Sequence, residues 1–509
     1  MKKIFLGLAV TAAALLSSCS MDTNNYGVMG QEVAIQSLKD VRSYSVGLYI
    51  QLRAHTAGGY IADPEIQADK FVGTIVNGNR HGQFSSGSFS AADGDIEAYY
   101  TEMYNMINDA NFIIPKLEAM LEDEQFDADE KTELKNHLGL AHFVRGYSYW
   151  YLLDHWTNPS DANSLGLQIW DTYSPSGNRS VYPSRSSMSE TLSVLNGELT
   201  AAFDNIKAYE DAGNLDNCGP NAIHVSSYAV AALQARVALL TGDNATALSK
   251  AQYVINSGLF ELTEIDDYAD LWVNDEGNEL IFVPYSDNVE SCPDTGYNWI
   301  YNTQKKSSDY IPTADALLAY EDGDVRFDAF FEPYRMEMQG LTVGAYAFSK
   351  FPGNPALFAT AGSNNFKNKP KPFRLSELYL IAAEACATDG PAKNEGAANG
   401  YLNDLREKRI EGYTSRTLSG AQLVEAIREE RAKELIGEGF RLSDLRRWGL
   451  GFDRQAGFDA IGMGSVMQIV VSSMDNIVYN PGDHLYVWPI PQFEFTVNPN
   501  VAGQQNPGY

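Results

Sequence analysis

Seven residues near the C-terminus have the types and spacing of an acid–base site: Glu430, Arg431, Glu434, Glu438, Arg441, Asp444 and Arg447. The four-residue steps between Glu430, Glu434 and Glu438 put three carboxylates on one helix face. Arg441, Arg446 and Arg447 stand close enough in sequence to pair with carboxylates bidentately. Such a constellation either transfers protons or ties segments together. Other catalytic signatures are missing. His55, His81, His137, His142, His155, His224 and His484 form no HExxH pair, and no G-x-S-x-G elbow or P-loop occurs. A glycosidase needs two carboxylates about 5–10 Å apart across a cleft. With 66 acidic residues, no specific pair stands out.

A second set of residues suits binding rather than catalysis. Tyr60, Phe71, Asn77, Asn79, Arg80 and Phe84 lie in one stretch rich in Gly, Asn, Ser and aromatics. Tyr285, Asn288, Tyr297, Trp299, Tyr301 and Asn302 lie in another. Rings match the apolar C–H faces of sugars, and Asn, Asp, Gln and Arg match their hydroxyl rims. In an extended Tyr297–Tyr301, the rings of Tyr297, Trp299 and Tyr301 share one side, with Trp299 as the stacking platform. The same alternation also describes a half-buried strand that packs its rings into the core.

The elements that must position these residues are mostly helical. Tyr100, Met103, Tyr104, Ile107, Ala110 and Ile114 recur at helical spacing, as do Leu134, Leu138, Ala141, Arg145, Tyr149 and Leu152. Ser187 and Glu190 form a capping box ahead of Leu192, Leu195, Leu199 and Ile206. A helix through Ala232–Leu240 ends at Gly242-Asp243. A second, from about Ala245 to Ile255, stops at Ser257-Gly258. A similar pair follows at Leu375–Ala387 and Ala397–Arg409. Small residues and tight turns resemble tetratricopeptide repeats, without a strict period. Residues 54–98 and 284–370 lack long periodic runs and read as loops with short strands and turns. The predicted fold is mostly α: a tetratricopeptide-like helix-pair scaffold with long loop-rich insertions and minor β.

The first residues point to export. Lys2 and Lys3 precede an apolar run, Ile4–Leu16, shorter than the roughly 20 residues of a membrane span. Leu16-Ser17-Ser18-Cys19 then resembles a bacterial lipobox. Lipidation of Cys19 would anchor the chain, because each buried acyl CH₂ contributes about 0.8 kcal/mol. The expected organisation is a signal peptide (1–18), a lipidated tether (19–30), an N-terminal region (31–280) and a C-terminal region (281–509). The net charge of -29 opposes binding to nucleic-acid phosphates. Cys218 and Cys292 could pair in an exported chain. Cys386, in an apolar helical run, reads as a small core residue.

The C-terminal motifs carry a family resemblance. The run Arg374-Leu375-Ser376-Glu377-Leu378-Tyr379-Leu380-Ile381-Ala382-Ala383-Glu384-Ala385 comes first. Leu402-Asn403-Asp404-Leu405-Arg406, Ile427–Leu435 and Glu438–Gly449 follow in order. The ending contains Trp488-Pro489-Ile490-Pro491, Asn498-Pro499 and Gln505–Tyr509. Together these resemble the SusD/RagB family. Ala110-Asn111, Arg145-Gly146-Tyr147 and Tyr320–Phe327 are similar to family patterns too. Leu442-Ser443 departs where the family often has two aromatics.

The resemblance implies a SusD-like fold and a non-catalytic outer-membrane lipoprotein facing the cell surface. It would capture a glycan for a TonB-dependent, SusC-like transporter. The membrane contact would be the lipid anchor alone, with no nucleic acid and no cofactor. It also implies that Arg374, Glu377, Glu384 and Arg406 join the seven residues above in a structural network tying the C-terminal segment to the helical core. Uptake of peptides is the alternative within the family. A secreted glycoside hydrolase and a purely structural repeat protein are the rivals outside it. Asp322-Gly323-Asp324 offers a turn suited to structural calcium.

Overall fold

The computed structural model describes residues 34–75, 80–294, 306–338, 340–454 and 478–509. Two helices of 29 residues each, Gly94–Glu122 and Ala128–Trp156, form the first pair. The Asp93 and Asp127 carboxylates accept backbone N–H bonds of the first turns, and Asp127 forms a capping box with Glu130. Caps of this kind contribute about 1 kcal/mol each. Ala128–Trp156 is buried without a break from Leu138 to Trp156, so it has no apolar stripe. It lies between Gly94–Glu122 and Met188–Asp211. Glycines permit that approach: a Cβ on Gly139 would stand 2.6 Å from Ile206, and one on Gly146 2.6 Å from Leu199.

The capping box read at Ser187 and Glu190 starts the helix Met188–Asp211. The two small-residue helix pairs also form, as Ser227–Leu240 with Asn244–Ile255 and Leu375–Ala387 with Glu395–Glu407. They are distant in sequence but stack directly, Leu375–Ala387 lying against both helices of the earlier pair. Ala383, Cys386, Ala398, Leu402, Leu423 and Ile427 fill one core there. The chain is therefore mostly α, as its periodicity indicates. Among the described residues the strands form only two-stranded sheets.

One of those sheets sets up the site. Phe71–Gly73 pairs antiparallel with Tyr310–Pro312, with Phe71 opposite Pro312 and Gly73 opposite Tyr310. It joins the two loop-rich regions.

Two expectations are corrected. The stretch 54–98 contains a helix, Gly59–Gln67, with Pro64 inside it. Ala62 to Gln67 are all buried, including Asp63, Glu65 and Gln67, so no periodic pattern announces it. The helix Gly420–Glu434 ends before Glu438, which reaches the other carboxylates from the following turn rather than from the same helix face. Cys218 and Cys292, whose pairing the sequence leaves open, are free and buried, with the Cys292 thiol 3.2 Å from the Asn368 carbonyl, and Cys386 is buried as its apolar run indicates.

The acid–base constellation is a buried ion-pair lattice. Glu434 meets Arg326, Arg374 and Arg409, and Glu430 meets Arg326 and Arg406. Glu438 pairs with Arg374 and Lys350, and Glu377 with Arg236. Arg431 and Arg447 share Asp444, Arg447 also binds Glu384, and Arg441 forks onto Asp69 at 2.7 Å through both nitrogens. Burial alone would raise the Glu434 carboxyl, but Arg409, Arg374 and Arg326 outweigh it and hold it well below its usual range. Glu65 belongs to the same docking. Its carboxylate accepts N–H bonds from Gly437, Gly439, Phe440 and Arg441, binding the Gly59–Gln67 helix to the C-terminal segment. Burial pushes it up to about 7. Gly439, at φ +91°, is required because a Cβ would lie 3.1 Å from Ile61.

Asp324 caps the helix Val325–Phe330 and pairs with Arg326 at 2.7 Å, so the Asp322-Gly323-Asp324 turn serves this lattice. Among the described residues no group of three or more His, Cys, Asp or Glu is placed to hold a metal ion. None of their helices is long and apolar enough to cross a membrane.

Candidate functional site

The two loop regions nominated by the sequence meet on one face. Beyond the paired strands, the Thr74 hydroxyl donates to the Ser308 carbonyl at 2.8 Å, and the Thr74 N–H donates to Asp309. Arg80 forms an ion pair with Asp309. The Tyr310 hydroxyl donates to the Arg80 carbonyl at 2.5 Å across 230 residues of chain. Next to Arg80, His81 adopts a left-handed backbone, φ 52°, which carries its ring to Asp63 at 3.0 Å. The hydrogen bond that His81 donates to the Asp63 carboxylate raises His81 to about 8, against the opposing effect of burial. Burial raises Asp63 itself, and Tyr99 donates to it at 2.6 Å.

The other half of the face is built on Arg53, in the last turn of Leu38–His55. It donates to the Tyr285 carbonyl at 3.0 Å and pairs with Glu290 at 2.9 Å. The Tyr285 ring is 50% exposed, and its hydroxyl donates to Asp287 at 2.8 Å. Asn288 is exposed beside it. Gly58 lets this loop close: at φ +63°, a Cβ there would meet Pro293 at 2.8 Å. Beneath, half-buried Tyr60 contacts His55, Tyr99 and Tyr151 with ring centroids 4.6–5.5 Å apart, and Tyr151 donates to the Tyr60 carbonyl. The result is an exposed ring held in place by an ion pair and a carboxylate, with charged and amide groups around it. Such an arrangement has the chemistry that suits a hydroxyl-rich ligand with an apolar face.

The nominated residues divide three ways. Tyr60, Arg80 and Tyr285 belong to this face. Phe71 and Phe84 do not: both are fully buried. Phe71 packs edge-on against Phe348 at 4.9 Å, and Phe84 packs among Phe89, Tyr99 and Trp488. The strand pairing and the short helix Gly82–Ser86 turn these two rings inward. Asn77, Asn79, Tyr297, Trp299, Tyr301, Asn302 and Cys19 lie outside the described residues. Sequence reasoning missed Arg53, Asp63, His81, Asp287, Glu290 and Asp309. Asp309-Tyr310 directly follows the second nominated stretch and was within reach. Asp287 bonds Tyr285 only two residues away, whereas Arg53, Asp63, His81 and Glu290 act through pairings between separate segments, which leave no local signal.

Comparison with known proteins places the fold. Residues 341–509 match the model of the SusD family, and residues 35–239 match one described as starch-binding, associating with outer membrane. SusD-like protein P25 of Formosa agariphila is 24% identical, the alignment covering 95% of this chain and 94% of that protein. A SusD superfamily protein from Bacteroides thetaiotaomicron superposes with a TM-score of 0.76 at 24% identity, covering 93% of this chain and 100% of that one. A SusD-like carbohydrate binding protein from Bacteroides vulgatus superposes at 0.72 with 19% identity, covering 92% and 98%. Both arms of the scaffold are thus matched, in sequence and in architecture, and the chain belongs to the SusD/RagB family.

Proposed function

We propose that the protein is a non-catalytic binding protein of the outer membrane. In this reading, a lipid anchor at Cys19 holds the chain to the membrane, and the Tyr285 face captures glycan chains. The captured glycan passes to a TonB-dependent, SusC-like transporter. The observation that carries the reading is the half-exposed Tyr285 ring, fixed by Arg53 and Asp287 where the two loop regions converge. The names of the matched family and of a structural neighbour, starch-binding and carbohydrate binding, agree with it. The acid–base residues that suggest hydrolysis are consumed in buried pairs, which supports binding without turnover.

Fixing the ring before the ligand arrives limits the ordering cost of binding. An aromatic contact contributes about 0.5–1.5 kcal/mol beyond area burial. Tyr285→Ala should therefore weaken binding of its best neutral oligosaccharide about tenfold while leaving the unfolding midpoint unchanged. Unchanged affinity in calorimetry would remove Tyr285 from the site.

A further inference from the structure

A second aromatic groove lies apart from the Tyr285 face. Its floor is Tyr100 and Tyr104 from Gly94–Glu122, with ring centroids 4.8 Å apart. Trp170 and Tyr182, 5.3 Å apart at 63°, form one wall, and Phe493 and Glu494 of the short helix Gln492–Val497 form the other. The cavity is about 260 Å³. Trp170, Tyr182 and Tyr104 are half-buried, and Phe493 is 51% exposed.

The groove is built, not merely left over. Tyr149 donates to the Trp170 carbonyl at 2.9 Å and accepts from its N–H at 3.0 Å, and Asn111 donates to the same carbonyl at 2.8 Å. Gln168, itself 1% exposed, donates to Glu494 Oε1 at 2.7 Å and so fixes that carboxylate at the rim. Tyr104 donates to the Gln168 carbonyl at 3.1 Å. Among the groove's lining groups, the Trp170 indole N–H and Glu494 Oε2 have no hydrogen-bond partner in the described residues.

We infer that this groove is a second saccharide subsite, taking one segment of a neutral glycan chain. The inference rests on the carbohydrate-binding reading above. Pyranose C–H faces fit the tilted rings, and sugar hydroxyls can accept from the indole N–H on one wall and donate to the carboxylate on the other. Glu494 opposes an anionic ligand. A wholly apolar ligand would bury that carboxylate oxygen without a partner. The volume is below the roughly 300–1,000 Å³ of pockets that enclose a whole small ligand, so it suits part of a chain whose remainder stays in solvent.

The test is calorimetry of the full chain with maltoheptaose and with cellohexaose. Tyr285→Ala, Phe493→Ala and Glu494→Gln are compared with the unaltered protein. Phe493 is half-exposed, and the glutamine keeps an acceptor for Gln168, so both groove variants retain the fold; unfolding midpoints verify this. The expected result is two saccharide sites per chain. Each groove variant weakens one of them about tenfold, and Tyr285→Ala leaves that one intact. Saccharide binding that is unchanged in both groove variants would overturn the groove and leave the Tyr285 reading standing. Binding lost in the groove variants but intact in Tyr285→Ala would support the groove and overturn the Tyr285 assignment. If neither saccharide binds the unaltered protein, both readings fall.

Discussion

Replacing Glu434 by Gln should unfold the protein far more readily than its size suggests, since the two side chains have nearly the same shape. Glu434 is fully buried. Its Oε1 accepts from Arg374 at 3.0 Å and Arg409 at 3.2 Å, and its Oε2 accepts from Arg409 at 3.0 Å and Arg326 at 3.1 Å. The amide has one acceptor oxygen, so about half of these charged hydrogen bonds are lost and an NH₂ group faces guanidinium donors. Hydrogen bonds to charged groups contribute about 1.5–3 kcal/mol each. Two lost bonds then cost about 3–6 kcal/mol, which agrees with the roughly 3–5 kcal/mol for breaking a buried ion pair. Total stabilities are about 5–15 kcal/mol, so a large share disappears. Urea unfolding followed by tryptophan fluorescence measures it, with the slope checked for constancy. Arg416→Ala, which opens the exposed Arg416–Glu321 pair, serves as the control and should leave the midpoint where it is. A Glu434→Gln protein within about 1 kcal/mol of the original would refute the structural role. Intact stability with lost saccharide binding would point to a functional one.

Further outcomes follow from the same geometry. Glu430, Glu434, Glu438, Asp69 and Glu384 are carboxylates that burial would raise but their arginine and lysine partners hold low. Their stabilisation is complete above the unfolded carboxylate range and is lost as pH falls through the lowered folded values. The urea midpoint should thus drop steeply below about pH 4, and a midpoint level to pH 3 would contradict this. His81 behaves oppositely. Its value is raised to about 8 from 6.5, so its contribution is full below about pH 6.5 and lost as pH rises through 8. Hydrogen exchange at residues 81–90, corrected for intrinsic rates, should quicken between pH 6.5 and 9, and His81→Gln should flatten that response. Cys19→Ala should release the protein from the membrane fraction of cells; full retention would refute lipid anchoring at that residue.

The helices were legible because burial imposes a repeat on them. Leu195, Leu199 and Ile206 mark the inner face of Met188–Asp211, and Ser187 and Glu190 mark its start. Gly59–Gln67 was not legible, because burial on every side erases the repeat and Asp63, Glu65 and Gln67 look like surface residues until their distant partners are known. The site followed the same division. Tyr285 and Arg80 were visible as an aromatic and a cation in polar loops. Phe71 and Phe84 looked equivalent to them in sequence, and only the Phe71–Gly73 strand pairing and the contact with Trp488 turn them inward. Arg326, Arg409 and Glu279 complete the ion-pair lattice from segments far apart in the chain, a convergence that spacing cannot reveal.

Affinity electrophoresis of the full chain through gels containing soluble starch and other neutral polysaccharides, with reducing ends assayed in the same gels, tests capture without cleavage. Capture without cleavage requires retardation in at least one gel, relief of it by Tyr285→Ala, and no new reducing ends. Free migration in every gel, or reducing ends that accumulate with the band, would contradict it.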